Sequence, residues 1–302
     1  MSTPGVSPAA HTGEIGTVRP SAPQAVAGAL TAIFVPGDRP ERFVKAATSG
    51  ADVVVIDLED AVAKGDKQQA LEHVVRALSP GGNDGLNAVV RTNGLATTWF
   101  EAEVEALVEI ASAAGHGVLG LMLPKAEDAT AVAAIGQRLP DNFAFVPLIE
   151  SAVGIVNAVE IARVPEVNRL AFGAVDFALD IDVGADSPTV DRARSMVVLA
   201  SRAAGIAAPL DAPSTAIRDL EHVATYAARG RSLGFGGSLC IHPVQVALVR
   251  DAHLPTQKEI QWAQKIMAVA DAGASQVDGA MIDRPVIDHA RRVIARSGKV
   301  KT

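Results

Sequence analysis

The sequence predicts a closed (β/α)8 barrel, or TIM barrel, on three observations. From residue 30 onward a short apolar run is followed by a polar, Gly or Pro break and then by a stretch of helical period, about eight times in all. The runs are apolar almost throughout, as strands are when both faces of a parallel sheet are covered. Roughly eight strand–helix units in about 250 residues favour a closed barrel over an open sheet.

The eight predicted strands follow one another along the chain. They occupy residues 31–37, 52–60, 87–93, 117–125, 143–151, 167–176, 205–214 and 237–243. Between them lie amphipathic stretches such as 97–115, where Phe100, Val104 and Leu107 share one helical face. We therefore expect a barrel domain over residues 30–253 and a helical C-terminal extension over residues 254–302, which a barrel alone does not require.

Composition and charge limit the classes of partner. The chain has 302 residues, of which 49% are hydrophobic, and a formal net charge of −7. Its 27 basic residues form no run longer than two, which argues against a nucleic-acid surface or a polybasic membrane contact. The single cysteine, Cys240, excludes an internal disulfide framework and a Cys-based zinc site, and it fits a reducing cytoplasm. A small-molecule partner is favoured.

Residues 1–29 are predicted to be a disordered N-terminal tail outside the barrel. They are rich in Ala, Pro, Ser and Gly and lack apolar periodicity. Apart from His11 their only basic residue is Arg19, which lies too far along the chain for the basic start of a secretory signal. No segment of 18 or more residues is apolar enough to span a bilayer, so we expect a cytoplasmic protein.

Charged or hydrogen-bonding residues stand where each apolar run ends. They are Asp38, Arg39, Asp57, Glu59, Asp60, Arg91, Lys125, Glu150, Asp176, Asp211 and His242. The carboxyl ends of the strands in a (β/α)8 barrel converge on one face, so these residues are predicted to surround one pocket. Any one of them read alone is as well explained as a helix cap or a solvated loop residue.

Three carboxylates crowd into the segment after the second strand. Asp57, Glu59 and Asp60 fall within four residues and repel one another unless a cation or an arginine stands nearby. Arg91, at the end of the third strand, is the candidate partner.

Glu150 and Asp176 are the predicted ligands of a divalent metal. Each follows an apolar strand, and neither motif offers a cysteine or a histidine at ligand spacing. Hard oxygen ligands favour Mg²⁺ or Mn²⁺, with water and substrate oxygens at the open positions. Gly173 and Ala174 keep bulk away just before Asp176, which lets a ligand approach the backbone.

Seven strings taken together resemble the citrate lyase beta subunit-like enzymes, within the larger group of HpcH/HpaI aldolases. In chain order they are FVPGDRPERFVKAATSGADVVVIDLEDAV, VRTNG, LPKAED, PLIESAVGIVNAVEIA, LAFGAVDFALDI, CIHPVQV and DGAMIDRPVIDHARRVI, from about residue 30 to residue 297. The resemblance implies a TIM barrel with a helical extension that assembles into trimers or hexamers. It also implies Mg²⁺-dependent cleavage or formation of a carbon–carbon bond in a citryl, malyl, methylmalyl or citramalyl thioester of CoA or of an acyl carrier protein.

The resemblance also implies roles for individual residues. Glu150 and Asp176 match the metal ligands, and Arg91 matches the arginine that clamps the carboxylate of the keto-acid product. Glu59 and Asp60 match the acids beside the metal that orient that arginine and a water molecule.

Two further sets of residues are implied to act outside the metal site. Arg39, Arg42 and Lys45 lie where relatives contact CoA phosphates, on one helix face, although a solvated basic face explains Arg42 and Lys45 equally well. Asp283 matches an acid/base on an extension that folds over the barrel of a neighbouring subunit. Asp283 also suits an N-cap of the final helix, with Pro285 in its first turn, and the two roles are compatible.

The same candidate residues also fit other functions. A malyl- or citramalyl-CoA thioesterase would use the same metal and a water molecule, whereas a CoA-free aldolase producing pyruvate needs neither the extension nor the Arg39 face. A non-catalytic thioester-binding subunit of a lyase complex is the non-enzyme alternative. Lys125 is interpreted as an electrostatic residue of the barrel rather than a covalent nucleophile, and His242 as core-packed or hydrogen-bonded rather than catalytic.

Overall fold

The computed structural model describes residues 20–82, 85–271, 276–277 and 280–298. The strands are β1 Thr31–Pro36, β2 Val53–Asp57, β3 Ala88–Arg91, β4 Val118–Leu123, β5 Ala144–Ile149, β6 Arg169–Phe172, β7 Ala207–Asp211, β8 Gly237–Cys240, β9 Gln276–Val277 and β10 Ala280–Met281. The helices are α1 Ala22–Gly28, α2 Phe43–Ala47, α3 Lys67–Leu78, α4 Phe100–Ala111, α5 Ala129–Gly136, α6 Ala152–Ala162, α7 Ala174–Asp180, α8 Pro188–Ala204, α9 Leu220–Leu233, α10 Pro243–His253, α11 Gln257–Asp271 and α12 Arg284–Ser297. Short 3₁₀ turns occupy Pro40–Arg42 and Lys64–Asp66.

Strands β1 to β8 form a closed barrel in which neighbours in sequence are neighbours in space and all pairs are parallel. The barrel closes through β1 and β8, where Thr31 pairs with Ser238 and Ile33 with Cys240. The predicted TIM barrel is therefore confirmed, and each of the eight predicted strands contains one observed strand.

The strands read as continuous apolar runs because both of their faces are buried. In β2, Val53 and Val55 belong to the cluster inside the barrel, whereas Val54 and Ile56 belong to the layer between the barrel and its helices. This alternation is the period of two expected of a strand. Burying both faces removes large apolar areas from water, which stabilises the fold by about 25 cal/mol for each Å² of apolar surface buried.

Residues 22–28, which were predicted to belong to a disordered tail, form helix α1. Ser21 begins it with a capping box to Gln24, and Val26 packs in the interior cluster of the barrel. The buried guanidinium of Arg169 donates hydrogen bonds to the carbonyl oxygens of Val26 and Ala29, at 2.9 and 2.7 Å. The prediction of disorder was therefore wrong for these residues, and its remainder, residues 1–19, lies outside the described residues.

The C-terminal extension is helical, as predicted. Helices α11 and α12 pack against each other around a small core of their own, formed by Ala263, Ile266, Ile282, Ala290 and Val293. A short antiparallel pair, β9 and β10, was not predicted. Packing of the extension on a neighbouring subunit stays a prediction. Among the described residues we find no helix with the length and hydropathy needed to cross a bilayer.

Candidate active site

A cavity of about 390 Å³ opens where the carboxyl ends of the strands meet. Asp57, Asp60, Arg91, Glu150 and Asp176 line its polar part. Its apolar wall consists of Phe34, Pro36, Ala61, Leu148, Phe172, Ala174, Val175, Ala212, Pro213, Leu239 and Ile241, and Gly173 completes the lining. Residues from seven of the eight strand ends thus surround one space, as the barrel predicts.

Arg91 is held in a fixed orientation. Its Nε and Nη2 atoms each donate a hydrogen bond to Asp57, to Oδ1 and Oδ2, both at 2.7 Å. The guanidinium carbon lies 4.8 Å from the centre of the Phe34 ring, a cation–π contact. The remaining nitrogen, Nη1, lies 3.1 Å from Glu59 and 3.7 Å from Asp60. Arg91 therefore relieves the repulsion among the three carboxylates, as predicted from the sequence.

Glu59 stands between two cations. Its Oε1 atom accepts a hydrogen bond of 2.7 Å from the Lys125 ammonium, and its Oε2 atom faces Arg91. Burial raises the pKa of Glu59 above its ordinary value, although Arg91 and Lys125 oppose that rise. Oε2 is buried and has no well-aligned hydrogen-bond donor among the described residues. The ion pair with Arg91, at 3.1 Å, compensates the charge of this oxygen.

Lys125 contacts both Glu59 and Glu150. Its main-chain N–H donates to Oε1 of Glu150 at 2.8 Å, while its ammonium binds Glu59. The residue has φ of +50°, a conformation uncommon for side chains other than Gly, Asn and Asp. Such strain persists only where surrounding contacts hold it, and here the two carboxylates do so. This position fits the electrostatic role predicted for Lys125.

Glu150 and Asp176 line the same cavity from adjacent strand ends. Glu150 directly follows β5 and is 3% exposed, and Asp176 lies in the first turn of α7, just beyond β6. A Cβ atom at Gly173 would lie 2.5 Å from Oε2 of Glu150, so only glycine leaves room for this carboxylate. Burial, together with the charges of Glu59 and Asp176, raises the pKa of Glu150 to about 8.

These features fit a divalent cation. Two carboxylates, with Glu59 beside them, bring negative charge to a buried place where only a proton or a cation can neutralise it. Among the described residues, no group of three or more His, Cys, Asp or Glu side chains has metal-site geometry. A hard cation here would take Glu150 and Asp176 as its side-chain ligands and fill its other positions with water and substrate oxygens.

A second cavity, of about 350 Å³, adjoins the first and shares Phe34, Pro36 and Ile241 with it. Arg42 and Lys45 line the second cavity. The predicted single helix face is only partly correct, because Arg39 precedes a 3₁₀ turn and ion-pairs with Asp38 at 3.7 Å instead of lining the cavity.

Several predicted polar residues do not line the main cavity: Asp38, Arg39, Glu59, Lys125, Asp211, His242 and Asp283. Asp211 turns away from it and accepts a hydrogen bond of 3.0 Å from Nε of Arg194 on α8. His242 caps α10 and lines the second cavity, so its predicted hydrogen-bonding role is confirmed. Asp283 caps α12, accepting from the N–H of Val286 at 3.2 Å, and lies exposed.

Sequence reasoning missed a layer of polar residues behind the cavity. Asn93, Lys67 and Glu103 are all buried and hydrogen-bond around the segment that carries Glu59. Glu103 could have been found, because it stands on the apolar face of α4 beside Phe100 and Val104, where a carboxylate needs a partner. Lys67 carries no comparable signal.

A family model described as HpcH/HpaI aldolase/citrate lyase matches residues 30–243. The chain belongs to this family. A citrate lyase subunit beta-like protein of Mycobacterium tuberculosis is 36% identical over 277 residues, covering 88% of this chain and 95% of the relative. An L-malyl-CoA/beta-methylmalyl-CoA lyase of Cereibacter sphaeroides is 33% identical over 281 residues, covering 83% and 86%.

A solved structure of the same family matches most of the fold. The crystal structure of CitE from Mycobacterium tuberculosis in complex with magnesium, acetoacetate and coenzyme A has a TM-score of 0.78 to this chain at 32% identity. The match covers 90% of this chain and 99% of that one. It therefore includes the barrel and reaches into the C-terminal extension.

Proposed function

We propose that this member of the HpcH/HpaI family is a Mg²⁺-dependent carbon–carbon lyase acting on a 3-hydroxyacyl thioester. It cleaves, or in reverse forms, a citryl-, malyl-, methylmalyl- or citramalyl-type thioester, giving a keto acid or glyoxylate and an acyl thioester. The observation that carries the proposal is the union, in one cavity, of the two carboxylates Glu150 and Asp176 with the paired arginine Arg91.

The cation site is assigned to Glu150 and Asp176. Mg²⁺ bound there supplies a Lewis acid for a substrate hydroxyl or keto oxygen. Support comes from the hard oxygen donors, from the space that Gly173 leaves beside Glu150, and from the magnesium in the related CitE crystal structure.

Arg91 binds the carboxylate of the hydroxy-acid portion. Asp57 engages Nε and Nη2, so Nη1 and its neighbouring N–H edge are the part of the guanidinium that can face a substrate. Charge-assisted hydrogen bonds from a fixed guanidinium both hold and orient a carboxylate. Glu59 and Asp60 keep that edge in place from the other side.

Cleavage breaks the bond between the hydroxyl-bearing carbon and the carbon next to the thioester. The hydroxyl proton passes to a carboxylate base and its O–H electron pair becomes the new carbonyl bond. The electron pair of the broken carbon–carbon bond moves into the thioester as an enolate, and a proton delivered to that carbon completes the acyl thioester. The apolar wall formed by Phe34, Leu148 and Phe172 keeps water away from the enolate carbon. We assign the proton to Asp283 of a neighbouring subunit, since Asp283 does not line the cavity of its own chain.

The carrier half of the substrate is assigned to the second cavity. Arg42 and Lys45 supply positive charge for CoA phosphates. The exposed Arg39, three residues before Arg42, is assigned to the same role. We further propose a trimeric or hexameric assembly, as the family resemblance implies, and a cytoplasmic location. An acid supplied by a neighbouring subunit requires at least two subunits.

Product identification tests the proposal. The purified protein would be incubated with Mg²⁺ and a panel of malyl, methylmalyl, citramalyl and citryl thioesters, and products would be identified by mass spectrometry. A keto acid or glyoxylate together with a shorter acyl-CoA is expected. Free hydroxy acid and CoA would instead indicate a thioesterase, pyruvate from a CoA-free hydroxy-keto acid would indicate an aldolase, and binding without turnover a thioester-binding subunit.

A further inference from the structure

Two fully buried charges lie behind the candidate site, on the two helices that follow β2 and β3. Lys67 is the first residue of α3 and is 5% exposed, and Glu103, in the first turn of α4, is 1% exposed. Burying a charge costs free energy unless hydrogen bonds and opposite charges compensate it. The contacts of Lys67 and Glu103 therefore indicate what these two side chains hold in place.

Lys67 binds the main chain of the carboxylate segment. Its ammonium donates hydrogen bonds to the carbonyl oxygens of Leu58, at 2.7 Å, and Glu59, at 2.6 Å. It also lies 5.5 Å from the centre of the Trp99 ring. Lys67 thus fixes the backbone from which the Glu59 side chain reaches Arg91 and Lys125.

Glu103 binds a residue just beyond the end of β3. Its Oε2 accepts the main-chain N–H of Asn93 at 2.7 Å, and its Oε1 accepts the Asn93 side-chain amide at 2.5 Å. Asn93 lies two residues after Arg91. Glu103 therefore fixes the end of the strand that carries the guanidinium.

Lys67 and Asn93, the residue that Glu103 holds, both donate to one atom, the carbonyl oxygen of Leu58. It accepts from the ammonium of Lys67 at 2.7 Å and from the side-chain amide of Asn93 at 2.9 Å. The N–H of Leu58 in turn donates to the carbonyl oxygen of Arg91 at 2.9 Å. The segment after β2 and the end of β3 are consequently locked as one unit.

We propose that Lys67 and Glu103 are positioning residues. From outside the cavity they set the relative placement of Glu59 and Arg91, and with it the direction in which the Arg91 guanidinium meets a substrate carboxylate. The inference rests on the proposed function, because it assigns these residues to the same site. A misplacement of about 1 Å can lower a rate by roughly 100-fold, so anchoring of this kind affects turnover.

The test replaces each charge without removing the volume of its side chain. Lys67→Met and Glu103→Gln are compared with Lys64→Met and Glu105→Gln, exposed neighbours on the same segments. Lys67→Met should still fold, because Leu58 keeps the hydrogen bond from Asn93 and the carbonyl oxygen of Glu59 keeps one from Val62. For each variant we would measure kcat and KM for the thioester, the Kd of acetoacetate for the Mg²⁺-loaded protein by calorimetry, and Tm.

We expect kcat to fall about 10- to 100-fold in Lys67→Met and Glu103→Gln, and the Kd of acetoacetate to rise by a comparable factor. KM for the thioester, set largely by the carrier half, should change by less than about threefold. Lys67→Arg, which keeps a donor, should recover most of kcat. The double variant should lose less than the product of the two single losses, because both act through Leu58.

Two results would overturn the inference: unchanged kcat and acetoacetate affinity in both variants, or a loss that tracks the unfolded fraction alone. Should Lys67→Met not fold, Glu103→Gln and Lys67→Arg decide the question. If the wild type binds acetoacetate but cleaves no thioester, the proposed function fails while calorimetry still tests the positioning role. A wild type that does neither would overturn both.

Discussion

The carboxylate of Asp57 accepts two parallel hydrogen bonds of 2.7 Å from the guanidinium of Arg91, and both side chains are buried. This pairing uses one edge of the guanidinium and leaves the edge at Nη1 directed to Glu59 and Asp60. Arg91 is thus a rigid donor whose guanidinium is held in one orientation by carboxylates on both sides. A lysine could supply the charge at this position but not the fork.

The first prediction concerns that fork. Arg91→Lys should weaken the binding of acetoacetate to the Mg²⁺-loaded protein by roughly 10- to 100-fold, the value of one lost hydrogen bond to a charged group. Calorimetry measures the change, and kcat/KM for the thioester should fall by at least the same factor. Arg138→Lys, at an exposed arginine paired with Glu101, is the control and should change neither. Wild-type affinity in Arg91→Lys would show that the guanidinium does not bind the carboxylate.

The second prediction concerns the cation ligands. Glu150→Ala should abolish the increase in Tm that Mg²⁺ gives the wild type, because one of two carboxylate ligands is lost. Glu160→Ala, at an exposed glutamate on α6, should leave the increase unchanged. Asp283→Ala should also keep it, since Asp283 is assigned to proton transfer. An equal loss of Mg²⁺ response in Glu150→Ala and Asp283→Ala would contradict these assignments.

The third prediction concerns pH. Glu150 has a folded-state pKa of about 8 against an ordinary value of 4.5, so its protonated form stabilises the metal-free fold. That contribution is complete below the ordinary pKa and is lost as pH rises through about 8. Mg²⁺ competes with this proton, so the Mg²⁺-induced increase in Tm should grow from about pH 6 to about pH 9. Thermal melts with Mg²⁺ or with a chelator check this, and an increase independent of pH would refute it.

The fourth prediction concerns the origin of the acid. If Asp283 acts in a neighbouring subunit, Glu150→Ala and Asp283→Ala are each inactive alone but complement each other when mixed. About a quarter of the sites in randomly mixed heterologous oligomers would pair an intact barrel with an intact extension. Activity of the co-expressed variants, purified with two different tags, measures this. Mixed oligomers without activity would place the acid elsewhere.

The fifth prediction concerns helix α1, which Arg169 holds against the barrel. Arg169→Leu removes the donors for the carbonyl oxygens of Val26, Ala29 and Ala208, and should lower the free energy of unfolding by about 3 kcal/mol. Arg163→Leu, at an exposed arginine, should change it by less than about 0.5 kcal/mol. Urea denaturation measures both. Equal small effects would show that Arg169 does not hold α1.

The strands and the face of the site could be predicted from the sequence because both depend on local patterns. A strand buried on both faces has to be apolar throughout, so the acid that ends it, as at Glu150, stands out. Parallel topology then brings Glu150 and Asp176 to the same face whatever the details of packing. The Arg91 partnership followed from the repulsion among Asp57, Glu59 and Asp60.

The remaining features depend on contacts that a one-dimensional pattern does not carry. Helix α1 is short, and its sequence has the small-residue composition of a disordered tail. Ser21 and Gln24 nevertheless form a capping box, which is a signal of a helix start. Asp211 is the last residue of its strand and Glu150 directly follows its own, yet Asp211 does not line the cavity and instead binds Arg194. The partners of Lys67 are carbonyl oxygens, and a sequence does not show where these point.

The central claim is that Glu150 and Asp176 hold one divalent cation at the mouth of the barrel. Crystals grown with Mn²⁺ and measured at the manganese absorption edge test it most directly. We expect one anomalous peak in the main cavity, within bonding distance of a carboxylate oxygen from each residue, with Arg91 facing the same space. A peak bound by only one of the two carboxylates, or lying outside this cavity, would contradict it.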